Sequence, residues 1–417
     1  YQEWGIKAND KFIGMFAIVI LDEQKNEIHL IRDRAGVKPL FYYHKNGLIL
    51  FASELKSFHE HPHFKKELDL NAVAAFMQYG NVPTPHCIFK NCYKINPGNY
   101  LKIDLSSKIK KEIQYWNVYD YYNKPKLKIS YGEAIDKTKK ILLSAFQYRM
   151  VADVPVGIFL SGGYDSTTVS ALLQANSSSK LKTFTIGVPD IGLNEAPYAK
   201  DIAKHIGTDH FEINCTEKEA IDMVKELPFF YDEPFADSSA IPTTLVSKMA
   251  RKKVTVALSA DGGDEIFGGY LYFHNSPNAI EFDRECKRLL ENICYFDVLR
   301  SDRSISTNGL EPRTPFLDRN FVDYYLSISS KLRYDSNLKQ EKFLFRKAFD
   351  KGYLPDEILW RKKEAFSDGV SKKTRSWHEI IKEKVVNQKD IKYDINIQYN
   401  FNSPQSLEQL YYRTIFE

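Results

Sequence analysis

A chain of 417 residues, 43% hydrophobic and 27% charged, has material for two or three buried cores, and that composition excludes a disordered or low-complexity protein. Its 58 basic and 54 acidic residues leave a formal net charge of +4, a balance that gives no reason for a nucleic-acid or membrane partner. No apolar run reaches the roughly 18 residues that cross a bilayer. The five cysteines, Cys87, Cys92, Cys215, Cys286 and Cys294, are odd in number and lack a paired zinc-type spacing, which fits a reducing cytoplasm. No signal peptide is visible. The sequence starts at Tyr1, inside what reads as folded domain, so an upstream segment is expected.

In chain order, residues 12–55 read as β-structure: an apolar strand at 16–21, and a second strand carrying Ile28, Leu30 and Arg32. A hairpin signal follows, because Asn46-Gly47 between Tyr42-Tyr43 and the run 48–51 accepts the positive φ angles of a type I′ turn. Residues 71–79 look helical, a turn at Asn96-Pro97-Gly98 precedes a strand at 100–103, and the Tyr- and Asn-rich tract 115–125 reads as a connector. His59, His61 and His63, around Pro62, read as a surface turn, and Cys87 and Cys92 as buried thiols.

The texture changes near Ser130. Ser130 with Glu133 is a capping-box signature, and Ile135, Thr138, Leu142 and Phe146 continue at helical spacing to Met150. Three apolar strands follow at 156–160, 181–186 and 254–258, with helices between them. Continuous apolar runs alternating with helices specify an α/β fold with a parallel, doubly wound sheet. Beyond about residue 280 the pattern is mostly helical.

Two loops carry chemistry. Ser161-Gly162-Gly163-Tyr164-Asp165-Ser166 sits between the first parallel strand and a helix expected over 167–174. Its glycines let the backbone approach phosphate oxygens, the serines and the helix N-terminus donate, and Asp165, which would repel a bare phosphate, implies a bridging Mg²⁺. After the third strand, Ser259-Ala260-Asp261-Gly262-Gly263-Asp264-Glu265 gathers three carboxylates within five residues, an arrangement that a divalent cation relieves. Its place at the carboxyl end of a neighbouring strand is where open α/β sheets bind ligands. Lys363 and Glu364, taken alone, read as a solvated helix end.

The first loop resembles the SGGxDS loop of the PP-loop ATP pyrophosphatases, which cleave ATP to AMP and pyrophosphate. The acidic loop running into Gly268-Gly269-Tyr270 resembles the asparagine synthetases, whose version reads SGEGSDEVFGGY; the likeness continues at 311–318 and 360–369. Residues 11–58 are similar to the second half of that family's glutaminase domain, through 14–17, 32–40 and 51–54.

The resemblance implies residues 1–125 as the C-terminal part of an N-terminal-nucleophile αββα glutaminase plus a connector, and 126–417 as the ATP-pyrophosphatase domain. It implies an ATP site at Leu160, Ser161, Gly162, Gly163, Asp165, Ser166, Ile186, Gly187, Ser259, Ala260 and Asp261, with Mg²⁺ held through Asp165 and Asp264. Catalysis would fall to Lys363, Asp261, Tyr270 and Glu364, turning L-aspartate into L-asparagine with glutamine or ammonia as nitrogen source, in a cytoplasmic enzyme that could be a homodimer. The family's nucleophilic cysteine would lie upstream of Tyr1, and none of the five cysteines takes its position. Without an upstream half, the chain would depend on free ammonia.

Two departures bear on substrate. Asp261 stands where the family motif has Glu, one methylene shorter, so a base there would need a water relay. The segment 231–242, with Asp237, Ser238 and Ser239 available to an amino group and hydroxyls, lacks the Thr- and Arg-containing pattern and offers no basic partner for an α-carboxylate. It resembles a bacterial branch that includes amidotransferases of cell-surface sugar pathways. A uronate or other carboxylate is therefore an alternative substrate, and a non-catalytic nucleotide-binding regulator a second alternative.

Overall fold

The computed structural model describes residues 1–187, 195–335, 338, 340–350, 352–360, 403–406, 409, 410 and 413. Its first part contains β1 (Ala17–Asp22), β2 (Glu27–Arg32), β3 (Phe41–Lys45), β4 (Leu48–Ala52), β5 (Cys92–Lys94), β6 (Asn99–Asp104) and β7 (Lys110–Gln114). They pair in two antiparallel sheets, ordered β1-β2-β6-β7 and β4-β3-β5. Alternation along the strands decides the layering. Val19, Leu30, Leu101 and Ile103 of the first sheet share a core with Tyr42, Ile49 and Tyr93 of the second. Phe41, Tyr43 and Leu50 turn the other way, onto Ala72, Val73 and Phe76 of the helix Leu70–Tyr79. The expected hairpin closes at Asn46 and Gly47, with φ of 51° and 80°.

The run 32–38 proves to be a structural clasp. The buried Asp33 carboxylate accepts from the backbone N–H groups of Phe16 (3.2 Å), Val37 (3.0 Å) and Lys38 (2.9 Å), while Arg32 donates to the carbonyls of Gly36, Lys38 and Ile95. All five cysteines are buried, and burial pushes the thiols of Cys87, Cys215, Cys286 and Cys294 up, which keeps them protonated and unreactive.

The second part is built on β8 (Val156–Phe159), β9 (Lys182–Gly187), β10 (Asp209–Asn214), β11 (Val256–Leu258) and β12 (Glu311–Arg313), all parallel, in the order β10-β9-β8-β11-β12. Sequence reading finds the three central strands and misses β10 and β12. Both are edges: β10 alternates Phe211 and Ile213 with polar residues, and β12 is three residues containing a proline, so neither is the continuous apolar run of a strand buried on two faces. Ile158 and Leu258 enter one core with Phe146, Leu172, Phe267 and Phe345. Their neighbours Phe159 and Ala257 face the opposite core with Phe184, Ile221, Val246 and Ile305. Both faces of the sheet are thus covered, as the α/β expectation required.

The chain winds from β8 outward through β9 to β10, then returns to place β11 on the other side of β8. The crevice at that reversal is where such a sheet takes ligands. The helix Asp297–Ser306 lies at the seam between the two parts: Asp302 pairs with Lys38 (2.7 Å), and Arg303 donates to the Ser53 carbonyl (3.1 Å).

Gly157 in β8 positions the first loop, and a Cβ there would lie 2.5 Å from the Phe184 ring. Gly157→Ala is expected to destabilise by about 1–3 kcal/mol through overpacking. Adding Phe184→Leu should recover part of the loss, and denaturant unfolding of the single and double variants checks the coupling.

Candidate active site

The helix Tyr164–Ala175 begins three residues earlier than the sequence suggested, so Asp165 and Ser166 lie in its first turn. Its N-cap is Gly163, which supplies no side-chain bond to the first N–H groups. Those donors, with the dipole behind them, form an anion cradle. Ser161 and Ser166 are linked through their hydroxyls at 3.0 Å, and Ser161 Oγ accepts from the Gly163 N–H at 3.3 Å, so the loop is held before any ligand arrives. Gly162 has φ +83° and packs against the helix Ala196–Ile206, where a Cβ would lie 3.1 Å from Tyr198.

The acidic loop leaves β11 and forms the short helix Gly263–Phe267. Lys342, reaching in from the C-terminal part, places its ammonium against Asp165 and, at 2.6 Å, against Asp264. Tyr270 donates its hydroxyl to Glu265. Burial first, and then the charges of Asp297 and Asp264, raise the Glu265 carboxyl well above its ordinary value. Burial and Glu265 together likewise raise the Tyr270 phenol.

A second cationic centre lines the same cleft. Arg300 pairs with Asp261 (2.7 Å), Asp297 (3.1 Å) and Asp237 (3.4 Å), at 16% side-chain exposure. Burial alone would lower its pKa, but the three carboxylates outweigh that and raise it. The Asp261 carboxylate also accepts from the Ser259 hydroxyl, and Asp237 accepts from that of Ser239. Burial raises the Asp297 carboxyl, against the pull of Arg300. Both centres line one cavity of about 320 Å³ that also touches Leu160, Ile186 and Ala260.

Two family models match the sequence: one described as asparagine synthase, over residues 137–284 and 275–416, and one described as a glutamine amidotransferase domain, over 1–116. The chain is 34% identical to the asparagine synthetase [glutamine-hydrolyzing] of Gallus gallus and 35% identical to that of Homo sapiens, in each case over 100% of this chain and 75% of the relative. A putative asparagine synthetase [glutamine-hydrolyzing] 2 of Methanocaldococcus jannaschii is 38% identical over 70% of this chain and 56% of its own length. The chain belongs to the asparagine synthase family. With that membership it is a carbon–nitrogen ligase.

Within this family member, Leu160, Ser161, Gly163, Asp165, Ser166, Ile186, Ser259, Ala260, Asp261, Asp264 and Tyr270, all expected at the site, line the cavity together. Ser239 lines it too, whereas Gly162, Gly187, Asp237 and Ser238 do not. Gly162 shapes the turn, and Asp237 contacts two lining residues, Arg300 and Ser239. Lys363 and Glu364 lie outside the described residues.

A basic side chain does reach the segment 231–242: Arg300, from the helix Asp297–Ser306, pairs with Asp237. Lys342, Asp297 and Arg346 also line the cleft unannounced. No local signal marks them: each is an ordinary charge in a helical stretch until the fold brings it to the loops.

Arg300→Met leaves Asp237, Asp261 and Asp297 facing one another without their guanidinium. A stability loss of about 3 kcal/mol at pH 8 is expected, at the low end for a buried pair because Arg300 is 16% exposed. The loss should shrink toward pH 5. Carboxyls whose folded-state pKa is raised favour the folded state while protonated, and that contribution fades as pH rises through the folded value. Urea unfolding at both pH values reads the difference, and an equal deficit at both would count against the electrostatic account.

Proposed function

We propose that the chain joins L-aspartate to ATP as an acyl-adenylate and converts it to the amide, yielding L-asparagine, AMP and pyrophosphate, with nitrogen from glutamine or ammonia. The observation that carries the reading is one cleft of about 320 Å³ lined by both the phosphate loop and the Arg300 cluster. A carboxylate held by the second centre can face an α-phosphorus held by the first. The uncapped N-terminus of the helix Tyr164–Ala175, with Ser161 and Ser166, suits the departing pyrophosphate. Adenylation turns a poor leaving group into a good one, and a closed site protects the product from water.

The residues fit a Mg²⁺ ion. Oδ1 of Asp165 is buried without a hydrogen-bond partner among the described residues, and carboxylate oxygens are the donors that this hard cation prefers. No group of three or more His, Cys, Asp or Glu forms a metal cage among the described residues. A cation that takes most of its ligands from phosphate and water needs only one or two carboxylates. Asp165 and Asp264 would hold it, and it would neutralise the triphosphate.

Arg300 supports aspartate over a uronate. It offers the α-carboxylate a guanidinium, and its three carboxylates leave an excess of negative charge that an α-ammonium would balance. A uronate brings no cation. Asp261, committed to Arg300 and Ser259, is better placed to orient that ammonium than to act as a free base. We place the boundary between the two parts at 125/126, because the capping box of Ser130 and Glu133 opens the first helix packed on the parallel sheet, Tyr131–Arg149.

The test is pyrophosphate and AMP release from ATP, Mg²⁺ and ammonium chloride, with L-aspartate compared against a panel of uronic acids. Aspartate-dependent turnover giving asparagine is expected. Turnover with only another acid would keep the chemistry and change the substrate, and ATP binding without turnover would favour a regulator. Lys363→Ala should slow pyrophosphate release by about 10²–10³-fold while sparing ATP binding, the size of effect seen when one stabilising donor is removed. Unchanged release would remove Lys363 from the mechanism.

A further inference from the structure

Lys342 occupies an unusual position. It precedes the helix Phe343–Ala348 with φ +57° and ψ 33°, the left-handed region that residues with a Cβ avoid unless their surroundings impose it. The surroundings do so here. Its carbonyl accepts from the Arg346 N–H at 2.8 Å, and its side chain is 2% exposed. Gly269 leaves the room, since a Cβ there would lie 2.0 Å from Asp264 Oδ1 and 2.2 Å from Lys342 Cε. What this conformation delivers is one ammonium between two carboxylates, Asp165 from the loop after β8 and Asp264 from the loop after β11.

Two carboxylates facing one position usually call for a divalent cation. Here a cation tethered to the chain fills the position, at an effective concentration on the order of millimolar or higher. A free metal ion must displace it and leave an ammonium buried without a partner. A metal–nucleotide complex removes that obstacle: the metal takes the carboxylates, the phosphates take the ammonium, and each charge keeps an opposite neighbour. Arg346, lining the same cleft, adds positive charge on that side.

We propose that Lys342 is an internal stand-in for the divalent cation: it holds Asp165 and Asp264 together until nucleotide arrives, prevents the metal from binding ahead of the nucleotide, and passes to the triphosphate when metal and ATP enter together. The inference rests on the nucleotide reading of this cleft.

The experiment is Mn²⁺ titration of the nucleotide-free protein, followed by electron paramagnetic resonance, for the wild type, Lys342→Gln and Lys342→Met. The glutamine variant keeps a donor for one carboxylate and is the milder change. Circular dichroism with and without Mn²⁺ reports folding. The variants should bind one Mn²⁺ per chain at least roughly tenfold more tightly than the wild type, the tethered competitor having been removed. Mn²⁺ should also raise the unfolding temperature of the variants and leave that of the wild type unchanged. If a variant folds only with Mn²⁺ present, that supports the proposal as well.

Wild-type protein that binds Mn²⁺ as tightly as the variants overturns it, and so do folded variants that gain no affinity or unfolded ones that Mn²⁺ does not rescue. A parallel calorimetric titration of wild type with ATP and Mg²⁺ separates the two ideas. Absence of nucleotide binding would sink the nucleotide reading, whatever Mn²⁺ alone does.

Discussion

Negative charge gathered at the carboxyl edge of the parallel sheet is the constraint that the rest of the molecule answers. Asp165 follows β8, Asp261, Asp264 and Glu265 follow β11, and Asp297 joins them in the cleft. Two unit charges 4 Å apart interact by about 4 kcal/mol at an effective dielectric near 20, and a domain is stable by only about 5–15 kcal/mol. Several such repulsions left standing would cancel the fold. Lys342 and Arg300 prevent this, and both arrive from beyond the last loop of the sheet's central strands. The helical C-terminal part is thus a source of counter-charge for the sheet as much as a covering layer.

The same logic operates at the seam. Asp232 and Glu233, half-buried between the two parts, meet Lys56 (3.7 Å), Arg303 (3.7 Å) and Lys94 (2.5 Å). Backbone N–H groups of the sandwich add to this, Leu55 donating to Asp232 at 3.0 Å and Ile88 to Glu233 at 2.8 Å. The helix Asp297–Ser306 serves both sites. Arg300 points to the cleft, and Asp302, two residues on and so on the opposite face of a 3.6-residue turn, reaches Lys38. A rotation of this helix that weakened one contact would strain the other, so the geometry of the Arg300 cluster is tied to the docking of the sandwich.

What was legible in the sequence follows from how local the signal is. The capping box at Ser130 and Glu133, the Asn46-Gly47 turn and the three central strands are set by neighbours within a few residues, and the structure has each of them. The two loops were legible because glycine, serine and carboxylate together are costly unless a ligand uses them. The edge strands were not, since β10 and β12 pair on one side only and carry mixed residues. Nor were the counter-cations, because Arg300 lies 39 residues from Asp261 and Lys342 lies 177 from Asp165. Charge complementarity at such separations is a property of the fold, with no trace in spacing or period.

Backbone conformation points to the same two places. Apart from asparagines, only Lys108, Asp232 and Lys342 take positive φ among the described non-glycine residues, and aspartate shares the asparagine's tolerance of that region. Lys108 lies in the turn between β6 and β7, where such a φ is ordinary. Asp232 (φ +61°) is at the seam and Lys342 (φ +57°) is in the cleft, each with a buried charged side chain held by opposite charges. Natural sequences break local rules where a position must deliver something that regular structure cannot. In both places what is delivered is a charge at a fixed point between two elements far apart in sequence. Cleft and seam are therefore two instances of one solution, long-range electrostatic closure, which at Lys342 also outweighs an unfavourable local backbone.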